Sequence, residues 1–238
     1  MKLDILAFGA HPDDVELGCG GTLAKEIANG KRVGIIDLTK GELGTRGTEF
    51  TRKEEAANAA KILGVQVREN LGFADGFFVN DKTHQLEIIK MLRKYQPEIV
   101  LCNAIDDRHI DHGKGSKLVS DACFLSGLVK IETTLNAKRQ DKWRPKQVYH
   151  YIQWKTIEPD FVVDISSYID VKMQSVMAYK TQFYDPENKE AETPITSKNF
   201  LDSIKYRAND LGRLINSDYA EGFTAERYVA VESLFNLK

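Results

Sequence analysis

The chain has 238 residues, 42% of them hydrophobic and 29% charged, with 33 basic against 35 acidic side chains and a formal net charge of −2. That length suits one larger α/β domain and the hydrophobic content supports a packed core. The balanced charge excludes a disordered chain and disfavours a sequence-independent nucleic-acid binder.

In chain order, short β-branched runs alternate with longer amphipathic ones. This predicts βαβ units in a Rossmann-like, three-layer α/β fold with a mainly parallel sheet. Residues 3–8 read as the first strand, 15–28 as a helix ended by Gly30, and 32–38 as the second strand. Thr51 reads as the N-cap of a helix running to Leu63, with Glu54 completing a capping box and Gly64 at the C-terminal end. A weaker strand at 65–71, a helix at 84–95 stopping before Pro97, a strand at 98–102 and a helix at 113–128 follow. The second half predicts strands at 148–152 and 161–165, helices at 171–180 and 197–215 around a polar loop at 185–196, and a closing strand at 228–235. No repeat or linker-like shift divides the chain, so one domain is expected over 1–238.

Three scattered cysteines (Cys19, Cys102, Cys123) without a CxxC disfavour a disulfide framework or a cysteine-rich zinc site. No apolar run approaches the ~20 residues that span a bilayer. The expected setting is the cytoplasm, with no membrane partner.

The five histidines are an ordinary number, but three fall in two acidic clusters. Gly9-Ala10-His11-Pro12-Asp13-Asp14 follows the first strand, and Asp106-Asp107-Arg108-His109-Ile110-Asp111-His112 follows the fourth. In a doubly wound sheet those strands are neighbours at the point where strand order reverses, and ligands bind beyond their carboxyl ends. His11 and Asp14 are three apart, as are His109 and His112, so each pair can converge on one side of a turn. Two imidazoles and a carboxylate with one position left for water suit catalytic zinc, and Asp13 beside them suits a general base. Alone, HPDD is equally a capped helix start and HxxH is weaker still; their coincidence at facing loops favours a metal site.

Gly18, Gly20 and Gly21 lack the dinucleotide spacing and read as close-packing positions. The loop Gly41-Glu42-Leu43-Gly44-Thr45-Arg46-Gly47 is either a simple connection or a backbone cradle for a sugar or anion. Arg46, Arg52 and Arg108 are candidates to hold substrate carboxylates. His84 reads as a surface residue, His150 as packed or solvent-facing, and Trp143 and Trp154 as core or rim. A metal-dependent phosphoesterase is the competing class, although it ordinarily needs two metals and more bridging carboxylates.

The motifs AHPDD at 10–14 and HIDH at 109–112, with TKGELGTRG at 39–47 and RKEEA at 52–56, resemble those of the LmbE-like, or PIG-L, zinc-dependent N-deacetylases. AYKTQF at 178–183 and YAEGF at 219–223 are most similar to the branch that deacetylates N-acetylglucosaminyl-malate in bacillithiol biosynthesis. The resemblance implies an LmbE-like fold, one Zn2+ per chain (Fe2+ fits the same ligands) on His11, Asp14 and His112, and a homo-oligomer. It also implies Asp13 as general base, and His109 as oxyanion stabiliser oriented by Asp111. Some relatives carry a tyrosine two residues before the first histidine of the second motif, where this chain has Asp107. Other N-acetylglucosamine conjugates, chito-oligosaccharide or inositol-linked, are the alternative substrates.

Overall fold

The alternating sequence pattern becomes an alternation of strand and helix: β1 (Ile5–Gly9), α1 (Asp14–Ala28), β2 (Val33–Thr39), α2 (Glu49–Leu63), β3 (Val67–Phe73), α3 (Lys82–Tyr95), β4 (Ile99–Cys102) and α4 (Ile110–Ser126). A short hairpin of β5 (Thr134–Leu135) and β6 (Lys138–Arg139) precedes β7 (Gln147–Tyr151), β8 (Phe161–Asp164), α5 (Ile169–Met177), α6 (Lys198–Arg213) and β9 (Ala220–Ala225). The structure is a computed structural model and describes residues 1–236. Seven strands form one sheet in the order β3-β2-β1-β4-β7-β9-β8, parallel from β3 to β7, with β9 antiparallel to both neighbours.

Successive side chains of β1 point to opposite faces. Leu6 and Phe8 pack with Ile88, Leu92, Leu118 and Val119 of α3 and α4, whereas Ile5 and Ala7 join Val15, Cys19 and Leu23 of α1. The result is three layers, with α1, α2 and α5 covering one face and α3 and α4 the other. β1 pairs with β2 on one side and β4 on the other, in register at Ile5↔Val33 and Ile5↔Ile99. The strand order therefore reverses at β1, and the loops after β1 and β4 open side by side.

α1 is irregular for a reason that matters to the site. Cys19 leaves helical geometry (φ −144°, ψ 18°), which interrupts the ladder that would satisfy the amides after it. Glu221 of β9 supplies the acceptors: its carboxylate takes the Gly21 amide at 3.0 Å, the Thr22 amide at 2.7 Å and the Thr22 hydroxyl at 2.6 Å, and pairs with buried Lys172 of α5. Gly18 is required because a Cβ there would lie 2.1 Å from Cδ2 of buried Tyr151. Gly21 is pressed in the same way by Ile165, whereas Gly20 has only ordinary contacts.

Several expectations need correcting. α2 begins one turn early, at Glu49, because Thr48 and Thr51 cap each other: the Thr51 amide donates to the Thr48 hydroxyl at 3.2 Å and the Thr48 amide to the Thr51 hydroxyl at 2.8 Å. Thr51 is thus the third helical residue rather than the N-cap, and Glu54 has no part in the box. Residues 228–235 are not a strand; the antiparallel position is taken by Ala220–Ala225, and Tyr228, Leu234 and Phe235 are exposed. The segment AEGFTA carries little β-propensity and is held there by the buried Glu221. The three cysteines are free and buried.

Gly18→Ala is expected to lower unfolding free energy by about 2–3 kcal/mol, since neither the Tyr151 ring nor the β7 backbone can move aside. Gly20→Ala, one turn position away with space for a methyl group, should stay within about 1 kcal/mol. Denaturant titration of the two variants checks the contrast.

Candidate active site

The loop after β1 is tied to its neighbours before any chemistry begins. The Ala10 amide donates to Asn103 Oδ1 beyond β4 at 2.8 Å, and Thr39 at the end of β2 donates its amide and hydroxyl to the Ala10 carbonyl. The chain then turns through Asp13, whose backbone is left-handed at φ 114°. An aspartate here is strained, and such strain persists where surrounding contacts over-determine it.

Asp14, in the first turn of α1, is 2% exposed. Its Oδ2 accepts the His11 amide at 2.9 Å and Asn103 Nδ2 at 3.0 Å, and its Oδ1 accepts Gln153 Nε2 at 2.8 Å. His11 Nδ1 lies 3.4 Å from Oδ2 and His112 Nε2 3.1 Å from Oδ1. The facing loops therefore do converge: the ring centroids of His11 and His112 are 5.6 Å apart, with His109 4.5 Å from His11 and 5.2 Å from His112. Burial pushes the Asp14 carboxyl up, but His112 and His11 more than offset it and hold it well below the ordinary range. Burial pulls His112 down, yet Asp14 and Asp107 bring it up to about 9.

Two imidazoles and a carboxylate are donors that a divalent cation takes. With bonds of about 2.0–2.2 Å, two ligands of a tetrahedral zinc site lie roughly 3.3–3.6 Å apart, close to the separations of Asp14 from its two imidazoles. Among the described residues, two groups bring ligand atoms together closely enough for an ion, His11 with His109 and His112, and His11 with Asp75 and Asp111; Asp14 is in neither group and meets the two imidazoles through different oxygens.

Asp13 lies beside this set with its carboxylate almost fully buried, 3.0 Å from an Arg52 guanidinium nitrogen. Burial pushes its carboxyl up to about 7, against the pull of Arg52. A group balanced there can both take and return a proton near neutrality. The glycine-rich loop serves this pair: Gly41 has φ +65°, and a Cβ on it would lie 2.3 Å from the Arg52 guanidinium. The loop packs over the arginine that holds Asp13.

His109 is the N-cap of α4, and its Nδ1 accepts the Asp111 amide at 3.3 Å. Burial, then the charge of His11 and His112, lowers its pKa. With Nδ1 accepting that amide, Nε2 is the nitrogen left to carry the ring's donor hydrogen. The resemblance implies that Asp111 orients His109, but the Asp111 carboxylate takes the Gly76 amide at 2.7 Å, pairs with Lys114 at 2.6 Å and lies 3.4 Å from His11 Nε2 instead. Any orienting of His109 comes from the backbone amide of Asp111.

The three arginines separate. Arg46 is buried and donates to the carbonyls of Ala191 (2.7 Å) and Glu190 (3.0 Å), so it fastens the 185–196 loop and is not a wall of the cavity. Arg52 reaches the cavity but is engaged by Asp13. Arg108 stands at the cavity with its guanidinium 4.6 Å above the Trp154 ring. Sequence reasoning missed Arg207 of α6, which lines the same cavity of about 470 Å3 and donates to the Trp154 carbonyl at 2.6 Å. It also missed Asp75 and Gln153, single polar residues with no motif around them. His150 is packed, as expected, against Ser116 and Glu226.

Comparison with known proteins bears on the family. A family model described as PIG-L, GlcNAc-PI de-N-acetylase, matches residues 6–123. Diacetylchitobiose deacetylase of Thermococcus kodakarensis is 31% identical over 189 residues, which cover 75% of this chain and 70% of the relative. A probable N-acetyl-alpha-D-glucosaminyl L-malate deacetylase 2 of Bacillus subtilis is 28% identical over 207 residues, 76% of this chain and 84% of that one. The crystal structure of the conserved protein TT1542 from Thermus thermophilus superposes with a TM-score of 0.87 at 35% identity, over 98% of both chains. With its paired motifs joined across the β1 and β4 loops, the chain belongs to the PIG-L, or LmbE-like, family and is an amide-hydrolysing deacetylase.

Proposed function

We propose that the protein removes the acetyl group from an N-acetylglucosaminyl conjugate, with one Zn2+ held by His11, Asp14 and His112. The favoured substrate is N-acetylglucosaminyl-malate, as in bacillithiol biosynthesis. The observation that carries the reaction is Asp13: a strained, buried carboxyl with a pKa of about 7, fixed by Arg52 and adjacent to the Asp14 imidazole pair at the wall of a cavity.

A divalent cation on those ligands supplies the positive charge that favours ionisation of water and polarises an amide carbonyl. The protein's own groups do the rest. Asp13 accepts the proton of the attacking water, and Arg52 holds its carboxylate in place while it does so. His109 donates from Nε2 to the oxygen on which negative charge develops. Asp13 then returns the proton to the glucosamine nitrogen as the C–N bond breaks, so acetate and a free amine leave. Arg108, over the Trp154 ring, and Arg207, bonded to the Trp154 carbonyl, suit the carboxylates of a malate aglycone. The relatives that act on malate and chitobiose conjugates support this substrate class without separating its members.

The direct experiment incubates the zinc-loaded protein with N-acetylglucosaminyl-malate, chito-oligosaccharide and N-acetylglucosaminyl-inositol and follows release of primary amine. Fastest release from the malate conjugate is expected. Preference for either of the others overturns the aglycone, and no amine from any of them overturns the reaction.

Asp13→Ala should retain zinc at the wild-type stoichiometry while losing at least about 100-fold in turnover. Elemental analysis alongside the same assay separates the roles. Near-normal turnover in this variant would remove Asp13 as the base.

A further inference from the structure

We propose that Asp75 and Asp107 are positioning residues: each grips the outer nitrogen of one imidazole, so that His11 presents Nδ1, and His112 presents Nε2, toward Asp14 and a cation shared among the three. The inference rests on the metal-dependent reading above and adds two residues outside the expected ligand set.

The geometry is specific on both sides. Asp75 Oδ1 lies 3.0 Å from His11 Nε2, and Asp75 Oδ2 accepts the Leu43 amide at 3.0 Å. Its own amide donates to Glu42 Oε1 at 2.8 Å, so the glycine-rich loop holds the aspartate from two directions. Asp107 Oδ2 lies 2.7 Å from His112 Nδ1, while its Oδ1 accepts the amides of Arg108 and Lys155, each at 2.8 Å. Both carboxylates are almost out of solvent, with side-chain exposures of 7% and 0%.

An ionised carboxylate only accepts hydrogen bonds, so the ring nitrogen facing it must carry the hydrogen. With a cation on the Asp14 side of each ring, this would make His11 the Nε2–H tautomer and His112 the Nδ1–H tautomer. In each ring the other nitrogen is the one that faces Asp14, 3.4 and 3.1 Å away, and a cation bound there would take its lone pair. Asp111, the other acid near His11 Nε2, is engaged by Gly76 and Lys114. A carboxylate behind a metal-binding imidazole fixes the ring and raises its basicity, and loss of such a partner weakens metal binding by about 10–100-fold.

The test is zinc affinity, measured on the full, metal-stripped chain by competition with a fluorescent chelator. Asp75→Ala and Asp107→Ala are each expected to weaken zinc by about 10–100-fold, and the Asn variants, which keep an acceptor oxygen, by less. Nitrogen-15 NMR of the zinc-loaded wild type should show Nε2–H on His11 and Nδ1–H on His112, a readout that stands even where an alanine variant fails to fold. Alanine variants within about twofold of wild type, or the opposite tautomers, overturn the proposal. Binding of two zinc ions per chain, one of them lost in Asp75→Ala, also overturns it, since Asp75 would then be a ligand. A wild type that binds no zinc would instead overturn the metal-dependent reading beneath it.

Discussion

The buried carboxylate of Asp14 is where the loops of the sheet's carboxyl edge meet. One oxygen takes the His11 amide and Asn103, the other takes Gln153, and the imidazoles of His11 and His112 close on it from either side. Those partners come from the loops after β1, β4 and β7, so the contact forms only when β1 and β4 pair and β7 lies next to β4. Moving a carboxylate out of water costs several kcal/mol, and a site that removes any of these partners leaves the charge uncompensated. The fold and the chemistry thus share one constraint.

Around that point the protein concentrates acid. Asp13, Asp75, Asp107 and Asp111 all surround the imidazoles, with Arg52 and Lys114 as the nearest opposing charges. The acids are not equivalent. Asp14 is held ionised by its histidines, whereas burial leaves Asp13 with a carboxyl near 7, so neighbours in sequence are driven to opposite sides of the ordinary carboxylate range. Strain at φ 114° is what turns the two side chains to different partners, one to Arg52 and one to the histidines.

Much of this was legible in the sequence because it depends on short-range pattern. Strands of β-branched residues ending in HPDD and DDRHIDH fix both the topology and the meeting of His11, Asp14, His109 and His112. What was not legible depends on single residues reaching across the fold. Asp75 follows a weak strand with no motif, Gln153 and Arg207 sit in the irregular second half, and β9 reads as loop because Glu221 looks like a surface acid until α1 is seen to break at Cys19. Arg46 reads as the charged partner of a glycine-rich loop and Asp111 takes its role from the family resemblance, but a carbonyl pair and a lysine, respectively, claim their side chains. Thr48 was passed over as a cap because a threonine, not an acid, occupies the third helical position.

The most direct test is anomalous diffraction at the zinc edge from crystals of the zinc-loaded protein. A single peak per chain is expected, bonded at about 2.0–2.2 Å to His11 Nδ1, an Asp14 oxygen and His112 Nε2. A peak bonded instead to His11 Nε2 with Asp75 and Asp111, or one lacking Asp14, would contradict it.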